Sequence, residues 1–169
     1  MRLQRFSLIE LLTVIGTLAL LIALAFPVYH KVKNQFQLTS CANRLRQIGI
    51  CVSSYANDNK DFLPLCERLE QVYGMPTLKD SLVQYASGNT KIFICPADKN
   101  FYASHGTSYE WNSFISGKRI DKTMFIVGNY SIIAPVAGDA GNFHNEKKNY
   151  LYSDGRIKDS FEVLIKDAE

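Results

Sequence analysis

The chain is poor in the residues from which active sites are built. Among 169 residues there are three histidines, His30, His105 and His144, and one tryptophan. No G-x-S-x-G, H-E-x-x-H or phosphate-cradling glycine loop is present, which excludes the commonest hydrolase and nucleotide-binding signatures. Ser104 and His105 are neighbours in "SHGTSYEWN", but adjacency along the chain does not build a nucleophile–base pair. "SGKR" at 116–119 lacks the flanking glycine spacing of a Walker loop and reads as a turn. No two cysteines stand in a C-x-x-C spacing, so a zinc ribbon is not indicated. No lysine and arginine patch interleaved with aromatics suggests a nucleic-acid groove, and no nucleic-acid partner is expected. Internal repeats and low-complexity stretches are also missing. The formal charge is +3, but Met1–Arg5 holds two of the 19 basic residues; without it, 17 stand against 16 acidic ones, a net +1.

Charge is missing most conspicuously from Leu11 to Val28, "LLTVIGTLALLIALAFPV", where Thr13 and Thr17 carry the only hydroxyls. Counted from Phe6, the apolar run is about twenty residues, enough for a bilayer core of ~30 Å. It is too long for the core of a secretory signal peptide, and "AFPVYHKVK" is a poor exit signal. Arg2 and Arg5 precede it, so the positive-inside rule places the N-terminus in the cytoplasm and the remainder on the far side of the membrane. Within this greasy beginning stands one carboxylate, Glu10. A charge in hydrocarbon costs several kcal/mol or more unless it is paired, so Glu10 calls for a partner.

The helical pattern continues past Pro27. Val28, Val32 and Phe36, then Cys41, Leu45, Ile48, Val52 and Tyr55, recur at steps of three and four, one face of an α-helix. The spacing predicts one helix from about Phe6 to Asn57, roughly 78 Å long at 1.5 Å per residue. Pro27 and Gly16 are its expected weak points. "NDNKDFLP" ends it. A short amphipathic helix is predicted at about Thr77–Ala86, with Pro76 at its start. Beyond Gly88 come short β-rich runs: "KIFIC", "TSYEW", "TMFIV", "NYSIIAPVA", "NYLYS" and "RIKDSFEVLI". Asp154-Gly155 supplies the tolerance of positive φ that a tight hairpin needs. The expected architecture is α+β, a long N-terminal helix whose distal half packs on a small antiparallel sheet. About eighty residues of short strands have little core of their own and need that cover.

"FSLIELLTVIG" resembles the N-terminal signature of type IV pilins and type II secretion pseudopilins. In that family the mature chain begins with an N-methylated Phe, has Glu at its fifth position, and carries a proline twenty-two residues in; Phe6, Glu10 and Pro27 stand in those relations. "CANRLRQIGICVSSYANDNKDFLP", "IFICPAD" and "SYEWN" resemble further segments of one large pseudopilin-like group. "HNEKKNYLYSDG" fits that group's H-x9-DG motif, with His144 followed by Asp154-Gly155. The resemblance covers Phe6 to about Ile157. It implies a pilin-like fold divided into a leader (1–5), a transmembrane helix half (6–28), an amphipathic helix half (29–57) and an extracytoplasmic α/β head (58–169). It implies a structural subunit rather than an enzyme, held in the inner (cytoplasmic) membrane with its head in the periplasm before assembly. Its implied partners are copies of itself, other pilin-like subunits, a prepilin peptidase, an inner-membrane assembly platform and the bilayer. Cleavage is expected between Arg5 and Phe6, although the family usually has Gly where Arg5 stands. The freed amine of one chain would then pair with the Glu10 carboxylate of another, offsetting the burial penalty.

Three points stay open at the level of sequence. Cys41 and Cys51 are ten residues apart, ~1000° round a helix, and point in different directions; a Cys66–Cys95 disulfide and four buried free thiols are the two readings of the cysteines. His144, Asp154 and Gly155 form either a structural pairing and turn or, with Asp139 or Asn142, a metal site, which is the one cofactor candidate. Related major pseudopilins hold calcium in a C-terminal loop, but calcium prefers oxygen donors to imidazole. Two other functional classes remain: an anchored binding module using Tyr109, Trp111 and Tyr152, and an anchored metal-dependent hydrolase using His144 and Asp154.

Overall fold

A computed structural model describes residues 7–69, 74–120, 124–127, 130–133, 135–144, 147–162 and 164–167, the strands at 124–127, 130–133 and 164–167 by backbone alone. The chain divides into two compact units, Met1–Phe36 and Gln37–Glu169. Helix α1 is continuous over Leu8–Asp58, 51 residues, and includes Pro27 and Gly16 without a break. It contains an apolar stretch long enough to cross a membrane.

In the first unit every described residue is exposed, among them Leu8, Ile9, Leu11, Leu12, Leu18 and Phe26. The two hydroxyls are turned inward on the backbone. Thr13 Oγ1 donates to the Glu10 carbonyl and Thr17 Oγ1 to that of Val14, each at 2.9 Å. That satisfies both hydroxyls without water.

In the second unit α1 buries Leu38, Cys41, Leu45, Ile48, Cys51, Val52 and Ala56. Cys41, Leu45, Ile48 and Val52 are the part of the expected stripe that is buried, with Tyr55 partly buried beside them, whereas Val28, Val32 and Phe36 are exposed. Leu45 and Ile48 are fully covered, each contributing about 2 kcal/mol. They pack in one cluster with Leu63, Leu78, Leu82, Phe93, Trp111, Ile115, Val136 and Leu151.

The elements after α1 are short. Helix α2 is Leu78–Leu82, half the length predicted for Thr77–Ala86. Thr77 caps it in a capping box with Asp80, and Pro76 precedes the cap. Left-handed backbone at Ser87 and Gly88 turns the chain away. "KIFIC" is not a strand. Thr90–Phe93 is a 3-10 turn begun by Asn89, whose side chain accepts the Lys91 N–H; this local cap overrides the β-branched composition. Helix α3 is Phe101–His105, and Asp98 accepts the N–H groups of Asn100, Phe101 and Tyr102 at its start.

Strands β1 (Tyr109–Trp111), β2 (Met124–Val127), β3 (Tyr130–Ile133), β4 (Pro135–Asp139), β5 (Tyr150–Tyr152), β6 (Ile157–Lys158) and β7 (Leu164–Asp167) follow. They form two antiparallel sheets rather than one, in the orders β1-β4-β5-β6 and β2-β3-β7. "NYSIIAPVA" supplies a strand to each, and "RIKDSFEVLI" does the same. The four-stranded sheet carries Trp111, Val136, Ala137 and Leu151 into the core with α1.

Candidate functional site

Glu10 lies in the first turn of α1. The backbone N–H of Ser7 donates to its Oε2 at 3.0 Å. A carboxylate is favoured there, because the first amides of a helix lack intrahelical acceptors and the helix dipole is positive at that end. Ser7-x-x-Glu10 has the spacing of a capping box. Glu10 is exposed amid exposed leucines and isoleucines. Arg5 and Phe6, the expected cleavage junction, lie outside the described residues.

The expected Cys66–Cys95 pair is not formed. Cys95 is bonded to Cys41, 54 residues away, while Cys51 and Cys66 are buried free thiols. The reason is geometric. The segment after the 3-10 turn lies along α1: the Gln37 amide donates to the Pro96 carbonyl at 3.4 Å, and the Arg44 guanidinium donates to that of Ile94. Cys66 is held elsewhere, its backbone N–H donating to Ser116 Oγ at 2.8 Å and its thiol facing the Pro64 carbonyl. Burial pushes the Cys66 thiol up to about 12 and raises Cys51 as well.

Beside this disulfide β4 and β5 bring together a polar group buried in the fold. Gly138 permits the approach, since a Cβ there would stand 3.0 Å from the Asn149 carbonyl. Asp139, fully buried at the end of β4, accepts the Asn149 N–H at 2.8 Å and its side-chain amide at 2.9 Å, both on Oδ2. Its Oδ1 is buried with no hydrogen-bond partner among the described residues. His144 Nε2 lies 3.7 Å from Asp139 Oδ2 and 3.3 Å from Cys95 Sγ. Burial raises Asp139 to about 6, the Asn149 bonds and Lys148 offsetting part of the rise, and burial lowers His144. A nucleophile–base–carboxylate relay is excluded by this geometry: Cys95 and Asp139 face the same ring nitrogen, and a relay needs opposite ones.

His144 therefore meets Asp139, not Asp154. Asp154 belongs to the β5–β6 turn, where it accepts the backbone N–H and the guanidinium of Arg156. Gly155 is in the left-handed region at φ 81°, as its hairpin role demands. Among the described residues, the side chains gathered closely enough to share a metal ion are Cys41, Cys95 and His144. This grouping was hidden from sequence reasoning by separations of 49 and 54 residues.

The aromatic platform of the binding-module reading is not on the surface. Tyr109, Trp111 and Tyr152 are all core residues. Tyr109 donates its hydroxyl to the Cys41 carbonyl at 3.3 Å, and Tyr152 donates to the carbonyl of Glu162 at 2.7 Å. An open groove of about 550 Å³ does exist over β1, edged by Arg68, Glu110, Phe114, Tyr150 and Phe161. Phe114 and Phe161 are well exposed there. The chain matches no protein-family model, no curated protein and no solved structure.

Proposed function

We propose that the protein is a pilin-like structural subunit, inserted in the inner membrane as a precursor, trimmed between Arg5 and Phe6, methylated on Phe6 and assembled through its N-terminal helix into a pseudopilus or pilus-like filament. The observation that carries the reading is Glu10, a lone carboxylate at the head of an apolar helical stretch on which every described residue is exposed. An apolar helix with an acid at its start, five residues into the expected mature chain, is suited to bundling with copies of itself. The amine of one neutralises the acid of the next, and lipid gives way to helix–helix packing.

Several features support the orientation. Arg2 and Arg5 favour a cytoplasmic start, and the disulfide Cys41–Cys95 fits a head in an oxidising compartment. The partners are further copies, related subunits, a prepilin peptidase and an assembly platform. The work of such a subunit is mechanical rather than catalytic. The experiment is Glu10→Leu in the native cell. Insertion and trimming should persist while fibres are lost, and the N-terminal residue of the wild-type protein should be methyl-Phe. Fibres that persist with Glu10→Leu, or a wild-type chain that keeps Met1, would overturn the reading.

The groove edged by Phe114 and Phe161 favours a second reading, an anchored binding module that never polymerises. For that protein Glu10→Leu would change nothing.

A further inference from the structure

One face of the four-stranded sheet packs on α1, and the other carries a trough. Strand pairing sets Trp111, Ala137, Leu151 and Ile157 in one row, which packs in the cluster that holds Leu45 and Ile48. The adjacent row, Glu110, Gly138, Tyr150 and Lys158, faces the other way, because side chains alternate along a strand. Over it lie two adjoining depressions that share Tyr150 and Phe161. Phe114 and Phe161, 80% and 61% exposed, edge the first. Lys147 and Lys148 line the second. Asp159 takes Lys147 at 2.6 Å. Lys148 has no ion pair among the described residues, and its field falls on the buried Asp139. The trough thus joins exposed rings to a cation.

A surface of complementary chemistry stands on the same chain, where α1 ends. Asp58 is the last residue of the helix, and the last turn carries no basic residue. The negative end of the helix dipole therefore adds to its charge. Asp58 is exposed and has no ion pair among the described residues, whereas Arg119 takes Asp61 at 3.4 Å. Next come Lys60 and Asp61, both in the left-handed region at φ 55° and 66°, a conformation that side chains disfavour. This strained turn presents two large apolar groups to solvent, Phe62 at 44% exposure and Leu65 at 55%.

We propose that the 58–65 loop of one chain docks in the trough of a second copy, with Phe62 against Phe114 and Phe161 and Asp58 against Lys148. Charge complementarity selects this occupant: the trough offers rings and a cation, the loop a ring and an anion at a helix end. The two surfaces differ, so the contact is heterologous. Each docking leaves a free loop on one copy and a free trough on the other, and the contact propagates along a row of chains instead of closing on a pair. A surface ion pair is weak by itself, so the contact needs the high local concentration that bundled N-terminal helices supply. In this it rests on the reading of the chain as a filament subunit, and it adds a fixed register between neighbouring heads.

The test uses the full chain in the native cell, with benzoylphenylalanine in place of Phe62 and irradiation before lysis. An adduct of twice the chain mass should form, and peptide mass spectrometry should join position 62 to the 135–161 stretch of the other copy. Lys148→Glu and Asp58→Lys should each cut the adduct about fivefold, since each sets like charges face to face. The two substitutions in one chain should restore it, which a misfolded head would not do. Phe114→Ala, at a well exposed ring, should also reduce it. An adduct that maps to another region or to another protein, no adduct at all, or charge reversals that lack mutual rescue would each overturn the contact. Electron microscopy separates this failure from that of the assembly reading. Fibres without the adduct remove the head contact alone, whereas fibres that survive Glu10→Leu remove the helix-bundling account and leave the adduct to be judged by itself.

Discussion

Asn149 grips Asp139 at two points, through its backbone N–H at 2.8 Å and its side-chain amide at 2.9 Å, and both bonds end on the same carboxylate oxygen. The carboxylate is fully buried, so the amide is part of what keeps it inside. Asn149→Ala removes one of the two donors and leaves the charge in place. Hydrogen bonds to buried charged groups contribute about 2 kcal/mol, and the variant should lose about that much in a urea titration of the oxidised protein. A loss within error of zero would mean that Asp139 finds another donor on relaxation.

The Cys41–Cys95 bond closes a loop of 54 residues between α1 and the segment after the 3-10 turn. Restricting an unfolded chain over such a loop is worth about 4 kcal/mol in the chain-entropy account. The Cys41→Ser, Cys95→Ser variant should therefore unfold at clearly lower urea than the wild type. Serines at Cys51 and Cys66, the free pair, should cost far less than that. Equal losses from the two double variants would show that packing, not the cross-link, holds the head to its helix.

The legible parts were those with local causes. The stripe Cys41, Leu45, Ile48 and Val52 is visible because a helix repeats every 3.6 residues, whatever it packs on, and all four residues are buried. Asp154-Gly155 is visible for the same reason: a positive φ is a property of the residue itself. "KIFIC" misled because a β-branched run reports only a preference, whereas the Asn89 side chain on the Lys91 N–H commits the backbone. The pairing of Cys95 with Cys41 rather than Cys66, and the meeting of His144 with Asp139, depend on which strands lie against α1. No short window of sequence holds that information. The division of the strands into two sheets was hidden likewise, since each strand is too short to declare its neighbours.

Cys66 offers a prediction in which pH does the work. Burial holds its thiol at about 12, well above the ordinary ~8.5, so the thiolate that reacts with alkylating agents is almost absent near neutrality. Because the folded value is raised, the associated stability is complete below the ordinary thiol range and is lost as pH climbs toward 12. Iodoacetamide at about pH 8 should leave Cys66 and Cys51 unmodified in the folded protein and label both in urea. Rapid labelling of Cys66 without denaturant, read by peptide mass, would contradict the burial.

The β5–β6 turn separates a structural role for Asp154-Gly155 from a ligating one. Gly155 has φ 81°, which costs a residue with a side chain roughly 1–2 kcal/mol. Gly155→Ala should lose about that much, although space around the position is open. Asp154 is tuned differently. Partial burial alone would raise its carboxyl, but the hydrogen bonds and charge of Arg156 outweigh that and hold it below the usual carboxylate range. Stability from this pair is therefore present above about pH 4 and falls away as acid protonates Asp154. Asp154→Asn should flatten that acid limb while changing stability near neutrality little, since the ion pair is largely solvated. Urea titrations at neutral pH and at about pH 3 distinguish the cases.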